Sequence, residues 1–364
     1  MDELVMPIIK DATAMFAALK AGEVDAVSRQ LSAELVEDFS AMPQLEVVNG
    51  PVTLTYLLLM NNRVAPFDNK DLRKAIYLAI DKQNMLDTLF LGYATAGSPG
   101  WVHPALPWYL QELDNEPRYN LDEAKRILEE LNYRDLSGDG FRQSPDGTTL
   151  AFTLLAPADD PIRVRAAEIL ASEYLKDLGL KVTVLVLDRN TLFARIGWSG
   201  TDYDFVQPRN FELLMWGWSA PIQSWPGRLR DVFHSDHKNV GMLNIQSYGN
   251  PALDPILEEI HFTTDSDRRN SLAQQAQRII AADAPFVSLY HPDGIYVYNK
   301  NAYDGWVFAK GLGIFQKLSF VSGTAQTQAG ARDKGFLWVT IVVLLAAAAV
   351  VVISARWRRQ ARAG

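Results

Sequence analysis

The chain has 364 residues, of which 48% are apolar and 21% charged. That is the composition of about two folded domains at roughly 150 residues each, and it excludes a disordered or collagen-like polypeptide. Net charge is −8; without the terminal Arg356, Arg358, Arg359 and Arg362 the rest carries 31 basic against 43 acidic residues, net −12. An acidic body is a poor ligand for phosphate backbones, so no nucleic-acid partner is expected, and the lack of cysteine excludes a disulfide scaffold, a thiol nucleophile and a thiolate metal site.

In chain order, Asp11 caps a short helix through Ala21 that Gly22 ends. Leu45 to Asn62 gives two strand-like runs broken at Gly50-Pro51, the second apolar enough to be buried on both faces. Asp68 to Phe90 has helical spacing, with Asp81 capping a second helix, and Asp122 to Leu131 is a further amphipathic helix. Thr148 to Pro157 reads as a strand, Pro161 to Leu178 as a long helix, and Leu180 to Asp188 as a strand after Gly179. Phe211 to Trp218 is a buried strand, and Asp267 to Ala282 a helix ending before Pro285. Phe286 to Asn299 reads as strand, turn and strand. Alternation of helices and strands is the signature of an α/β lobe.

Ser322 to Gly335 is rich in small and polar residues and reads as a flexible stalk. Phe336 to Ile353 carries no charge, and its length as a helix is about 27 Å, close to the hydrocarbon thickness of a bilayer. Trp338 and Trp357 flank it, and the downstream arginines outnumber Arg332 and Lys334 upstream. This pattern predicts a single-pass anchor in the cell membrane, with the C-terminus cytoplasmic and the body extracytoplasmic. Residues 1–30 hold no basic stretch followed by an apolar run, so either the body is cytoplasmic and tail-anchored, or the true beginning lies upstream of Met1.

Catalytic signatures such as G-x-S-x-G, H-E-x-x-H and the phosphate-binding glycine loops do not occur, and no enzyme activity is expected. His234, Asp236 and His237 could ligate a metal on a turn, although a surface or core role is the simpler account of scattered histidines. Asp135, Ser137, Asp139, Gly140 and Asp146 match positions of an EF-hand-like loop and could hold a structural Ca²⁺; the alternative is a Gly/Asp-rich turn joining helix to strand. Trp198, Trp216, Trp218 and Trp225 gather within about thirty residues, together with Phe193. A strand ending in Trp216-Gly217-Trp218-Ser219 suits a cleft wall on which a ligand stacks.

Several segments together resemble one family, the peptide/nickel-type extracellular solute-binding proteins of ABC importers, also called the oligopeptide- or dipeptide-binding class. They are ALKAGEVDAV at 18–27, YLLLMNNRVAPFDNKDLRKAIYLAIDKQNM at 56–85, YNLDEAKRILEELNY at 119–133, the D-x-S-G-D-G turn, LKDLGLKVTV at 175–184, FELLMWGWSAP at 211–221, YGNPALDPIL at 248–257 and DRRNSLAQQAQRIIAADAPFVSLY at 267–290. The resemblance implies a type II periplasmic-binding-protein-like α/β fold in two lobes that close on a solute about a hinge. It divides the chain into a first-lobe remnant (1–53), a second ligand-binding lobe (54–287), return strands to the first lobe (288–321), the stalk (322–335), the membrane helix (336–353) and a basic cytoplasmic tail (354–364). On that basis the chain corresponds to the C-terminal portion of a longer protein.

The implied partners are a peptide or oligosaccharide solute and ABC permease subunits, and the expected ligand-binding residues are Asn61, Phe193, Trp216, Gly217, Trp218 and Ser219. Peptide-binding relatives follow G-W-x-A with an Asp that pairs with the ligand's α-amino group. Here Pro221 stands in that place, which opens an oligosaccharide-binding alternative. A non-binding degenerate fragment and a tail-anchored protein of other activity are the remaining readings.

Overall fold

A computed structural model describes residues 3–115, 119–197, 209–223, 225–239 and 242–321. The expected stalk, membrane helix and basic tail therefore lie outside the described residues, as does Trp198. Among the described residues no helix is long and apolar enough to cross a membrane.

Seven strands are described: β1 (Leu45–Pro51), β2 (Thr55–Met60), β3 (Ala94–Ala96), β4 (Ala151–Pro157), β5 (Lys181–Leu187), β6 (Leu213–Trp218) and β7 (Phe286–Asn299). They join in the order β1-β7-β2-β6-β4-β5, with β3 paired to β7 off this path. β4 runs parallel to β5 and β6, whereas β2 is antiparallel to both β6 and β7. The helices that cover the sheet or flank it are α1 (Ala12–Ala21), α2 (Lys70–Ala79), α3 (Lys82–Phe90), α4 (Leu121–Glu130), α5 (Pro161–Ile169), α6 (Arg189–Arg195), α7 (Asp254–Phe262) and α8 (Ser266–Asp283).

Local chemistry explains most of these boundaries. Asp11, Asn69, Asp81, Asn120, Asp160, Asp188 and Asp265 each accept a backbone N–H in the first turn of the helix they precede. Gly22, at φ 74°, supplies the left-handed residue that closes α1. The long helix expected over Pro161 to Leu178 begins as α5 and continues through a π turn, Leu170–Tyr174, into Leu175–Asp177.

Period-two alternation divides the strands between two cores. Leu58 and Met60, Leu154 and Ala156, and Leu213 and Met215 face a core closed by α2, α3, α4 and α5. Leu57 and Leu59, Leu155, and Leu214, Trp216 and Trp218 face the other, closed by α6, α7 and α8. The result is a three-layer α/β sandwich. Beyond it, β1 and the far half of β7 carry two smaller clusters, one around Leu19, Phe39 and Val297 with α1, the other around Val52, Tyr296 and Ile314.

The turn expected inside Phe286 to Asn299 does not form: β7 is continuous over 14 residues. Pro292 faces Ala94 of β3, while Asp293 and Gly294 face Pro51 and Gly50 of β1, so neighbours on both sides hold the segment extended against its local turn propensity. Gly294 serves close packing, since a Cβ there would lie 2.6 Å from Val52 Cγ1. The expected break between β1 and β2 is present, displaced to Val52, Thr53 and Leu54.

Candidate functional site

Because β4, β5 and β6 are parallel, their carboxyl ends share one edge of the sheet, and antiparallel β2 brings its first residues, Thr55 and Tyr56, to the same edge. The loops following Pro157, Leu187 and Trp218 leave from there. In open α/β sheets such an edge is where ligands bind.

On one face of the edge, Tyr56 Oη donates to Asp160 Oδ2 at 3.2 Å, Arg163 Nε donates to the same oxygen at 2.8 Å, and the Arg163 guanidinium lies over the Tyr56 ring. Burial first, and then the Asp160 charge, raise the Tyr56 phenol well above its ordinary pKa. The Tyr290 ring lies 5.1 Å from that of Tyr56, and its hydroxyl is buried without a hydrogen-bond partner among the described residues. Gly217, opposite Tyr56, is covered by this ring: a Cβ would lie 3.0 Å from Tyr56 Cδ1 and Cε1.

On the other face, Gln223 joins three segments. Its Oε1 accepts from His103 N at 3.2 Å and its Nε2 donates to Thr55 Oγ1, which bonds His291 Nδ1 at 2.9 Å. Both imidazoles are neutral by their partners. His103 Nδ1 accepts the Ala105 N–H while the ring bonds the Val52 backbone; His291 Nε2 accepts the Ser98 N–H while Nδ1 faces the Leu54 carbonyl. Their rings are 4.4 Å apart. Burial, then the Lys310 charge, lowers His103 to about 4, and burial, then His103, holds His291 well below its ordinary value. Val52 and Leu54 belong to the β1–β2 link, so this network fastens that link to the β6 loop.

The structure places the expected site residues unevenly. Trp216 and Trp218 are 6% and 3% exposed and pack edge to face at 5.8 Å, with Phe193 at 6.1 Å from Trp216. They are core of the α6–α8 layer, not an open stacking surface; strand alternation turns both indoles into that layer. The Trp218 indole N–H has no partner among the described residues. Ser219, exposed, is the first residue past the strand. Asn61 lies at the other end of β2, roughly 20 Å from Trp218 by strand rise. It is buried there, donates to the Phe211 carbonyl at 2.9 Å and accepts Arg63 N, so it clamps strand ends and takes no part in the edge.

The expected calcium loop does not assemble. Asp135 accepts Gly138 N and Gly140 N, Asp139 accepts Phe141 N, and Asp146 accepts Thr148 N and Ser144 Oγ on a separate turn; Ser137 faces Asp135 at 3.5 Å. The carboxylates are used in turn closure, as in the alternative reading. His234 meets Glu258 at 3.2 Å and His237 meets Arg230 at 3.1 Å. Among the described residues no three His, Asp or Glu side chains form a group that could hold a metal ion.

Sequence reasoning missed Tyr56, Asp160, Arg163, Gln223, His103 and His291. The Asp160-Pro161 helix start directly after a strand was a readable signal for the first group; the histidine pair, 188 residues apart in sequence, had none.

The family model for the bacterial extracellular solute-binding proteins, family 5 (middle region), matches residues 1–239. The oligopeptide-binding protein AppA of Bacillus subtilis is 25% identical over 297 residues, 80% of this chain and 51% of AppA. Heme-binding protein A of Haemophilus influenzae is 26% identical over 306 residues, 81% of this chain and 49% of that protein. The chain thus spans about half the length of these curated relatives. Its fold is similar to that of AppA bound to a nonapeptide, with a TM-score of 0.71 and 23% identity over 86% of this chain and 58% of AppA. It is also similar to a mannohexaose-bound periplasmic oligopeptide-binding protein of Thermotoga maritima, with a TM-score of 0.70 and 20% identity over 88% of this chain and 62% of that one. With the matched region exceeding half of the chain, the protein belongs to family 5 of the bacterial extracellular solute-binding proteins.

Proposed function

We propose that this chain is the solute-binding component of an ABC importer, which captures a peptide or similar solute outside the membrane and delivers it to the permease without covalent chemistry. The observation that carries the reading is the carboxyl edge of β4 and β6 in a chain of this family. There an exposed Ser219 and the Tyr56–Asp160–Arg163 group stand at the ends of neighbouring strands. Arg163 spends Nε on Asp160, leaving its two terminal nitrogens for a solute carboxylate. The Val52–Leu54 link and the Pro292–Gly294 stretch within β7 are the crossing points about which two lobes would close. Phe336 to Ile353 serves as the anchor, holding the body outside and the arginine tail inside.

A second reading, an oligosaccharide solute, is favoured by Pro221 in the place of the amino-group-binding Asp. Calorimetric titration of the full chain in detergent micelles with pentapeptides, their N-acetylated forms and mannohexaose separates the two. Saturable binding of pentapeptides that weakens at least tenfold in Arg163→Gln supports a peptide solute, whereas binding of mannohexaose alone supports the second reading. No binding of any of the three would remove both.

A further inference from the structure

At the end of the sheet remote from Ser219, where β2 finishes and α8 passes into β7, lies a surface hollow of about 390 Å³. Its rim carries Arg63, Lys70, Arg73 and Lys238 against Asp68 and Asp283. Two of these charges are committed. Arg73 is buried and donates to the main-chain carbonyls of Phe67, Asp68, Asp283 and Ala284. The Asp283 carboxylate accepts Tyr248 Oη at 2.6 Å and Asn250 Nδ2 at 2.7 Å. Arg63, Lys70 and Lys238 form no ion pair among the described residues.

Behind the wall lies Arg209. Its guanidinium donates to the carbonyls of Ile196, Lys238, Asn239, Met242 and Asn244 and to Ser247 Oγ, all of them neutral acceptors. Burial, then the Arg63 charge, lowers the Arg209 pKa to about 10. Positive charges thus gather around Ser247 and outnumber the two rim carboxylates, Asp68 and Asp283, in a body whose net charge is strongly negative. Ser247 itself holds a left-handed backbone at φ 57°, uncommon for a residue with a side chain. Gly249 keeps the space open: a Cβ would lie 2.8 Å from Ser235 Oγ and 3.4 Å from the Lys238 ammonium.

We propose that this hollow is a binding site for a phosphate-class oxyanion, held between the Arg63 guanidinium and the Lys238 ammonium, with Arg209 adding positive field from behind. A compact multivalent anion accepts from a planar fork and a point donor at once, which a single carboxylate does less well. The site is separate from the carboxyl edge, so it stands or falls independently of the solute.

Thermal unfolding of the full chain in detergent at pH 7 tests it, with inorganic phosphate compared against sodium chloride at matched ionic strength. Phosphate should raise the midpoint saturably, and Arg63→Ala and Lys238→Ala should each weaken the apparent affinity at least tenfold. Arg63 is exposed, so its variant keeps the fold; Arg63→Lys should retain part of the response. Glycerophosphoglycerol, the soluble headgroup of phosphatidylglycerol, distinguishes the source. Binding tighter than that of inorganic phosphate identifies a lipid headgroup, and weaker binding identifies free phosphate. An equal midpoint shift with chloride, or an unchanged phosphate response in the Arg63→Ala/Lys238→Ala double variant, would overturn the site.

Discussion

The two ends of the sheet differ in what they leave unspent. At the carboxyl edge charge is balanced, Asp160 against Arg163, while neutral polar groups remain over: the Trp218 indole N–H and the hydroxyls of Tyr290, Ser98 and Ser288 have no partner among the described residues. At the opposite end Asn61 and Arg73 bond the ends of the backbone, and positive charge remains over beside two amide oxygens, Asn62 Oδ1 and Gln246 Oε1, that have no partner among the described residues. Buried polar groups are nearly always satisfied, so each leftover is a cost that the surrounding packing has to carry.

Substitutions can break this contrast, beginning with the largest effect. Trp218→Ala should cost about 3–5 kcal/mol of unfolding free energy by urea titration, because it empties a core position; a loss below about 1 kcal/mol would mean that the indole is not packed as described. Arg73→Ala should cost roughly 3 kcal/mol, since it leaves four main-chain carbonyls short of a donor, and the α8–β7 junction should lose hydrogen-exchange protection first. Gly217→Ala presses a Cβ against the Tyr56 ring and should cost about 1–3 kcal/mol, relieved in a Tyr56→Leu background.

Acid sharpens the contrast further. The folded pKa of His103, about 4, lies below the ordinary imidazole value of about 6.5, so the unfolded chain binds more protons between these values. Stability from the neutral imidazole is complete above about pH 6.5 and is lost as pH falls through that window. The melting temperature should therefore drop from pH 6.5 to 4, and His103→Gln should flatten the drop. The charged groups facing the pair, Lys82 and Lys310, add to the effect, whereas Asp293, raised by its own burial, gains stability as it protonates and offsets a small part of the drop. The smallest effect belongs to Ser219→Ala: stability within about 0.5 kcal/mol of the parent, with any loss confined to solute binding.

Much of the fold was legible because its signals are local. Asp11 and Asp81 precede helices as caps, Gly22 ends one, and Phe211 to Trp218 declares a buried strand by composition alone. The site was less legible for the same reason. Burial of Trp216 and Trp218 depends on which face of β6 meets α6 to α8, and alternation does not say which layer is closed. Pro292-Asp293-Gly294 carries turn residues, yet β1 and β3, about 240 and 200 residues earlier, hold it straight. Gln223, Thr55, His103 and His291 meet only once four distant segments have been assembled.

The unbroken run of β7 bears on the order in which the chain can fold. β7 lies between β1 and β2 in the sheet, with Leu45 opposite Asn299 and Leu59 opposite Phe286. During synthesis β1 and β2 must wait more than 220 residues for the strand that joins them. Loop closure over that span is slow, and unpaired edges stay open to wrong partners meanwhile. The last strand described is thus the one that joins the rest, and a chain ending before Phe286 would hold β1 and β2 without the neighbour they share.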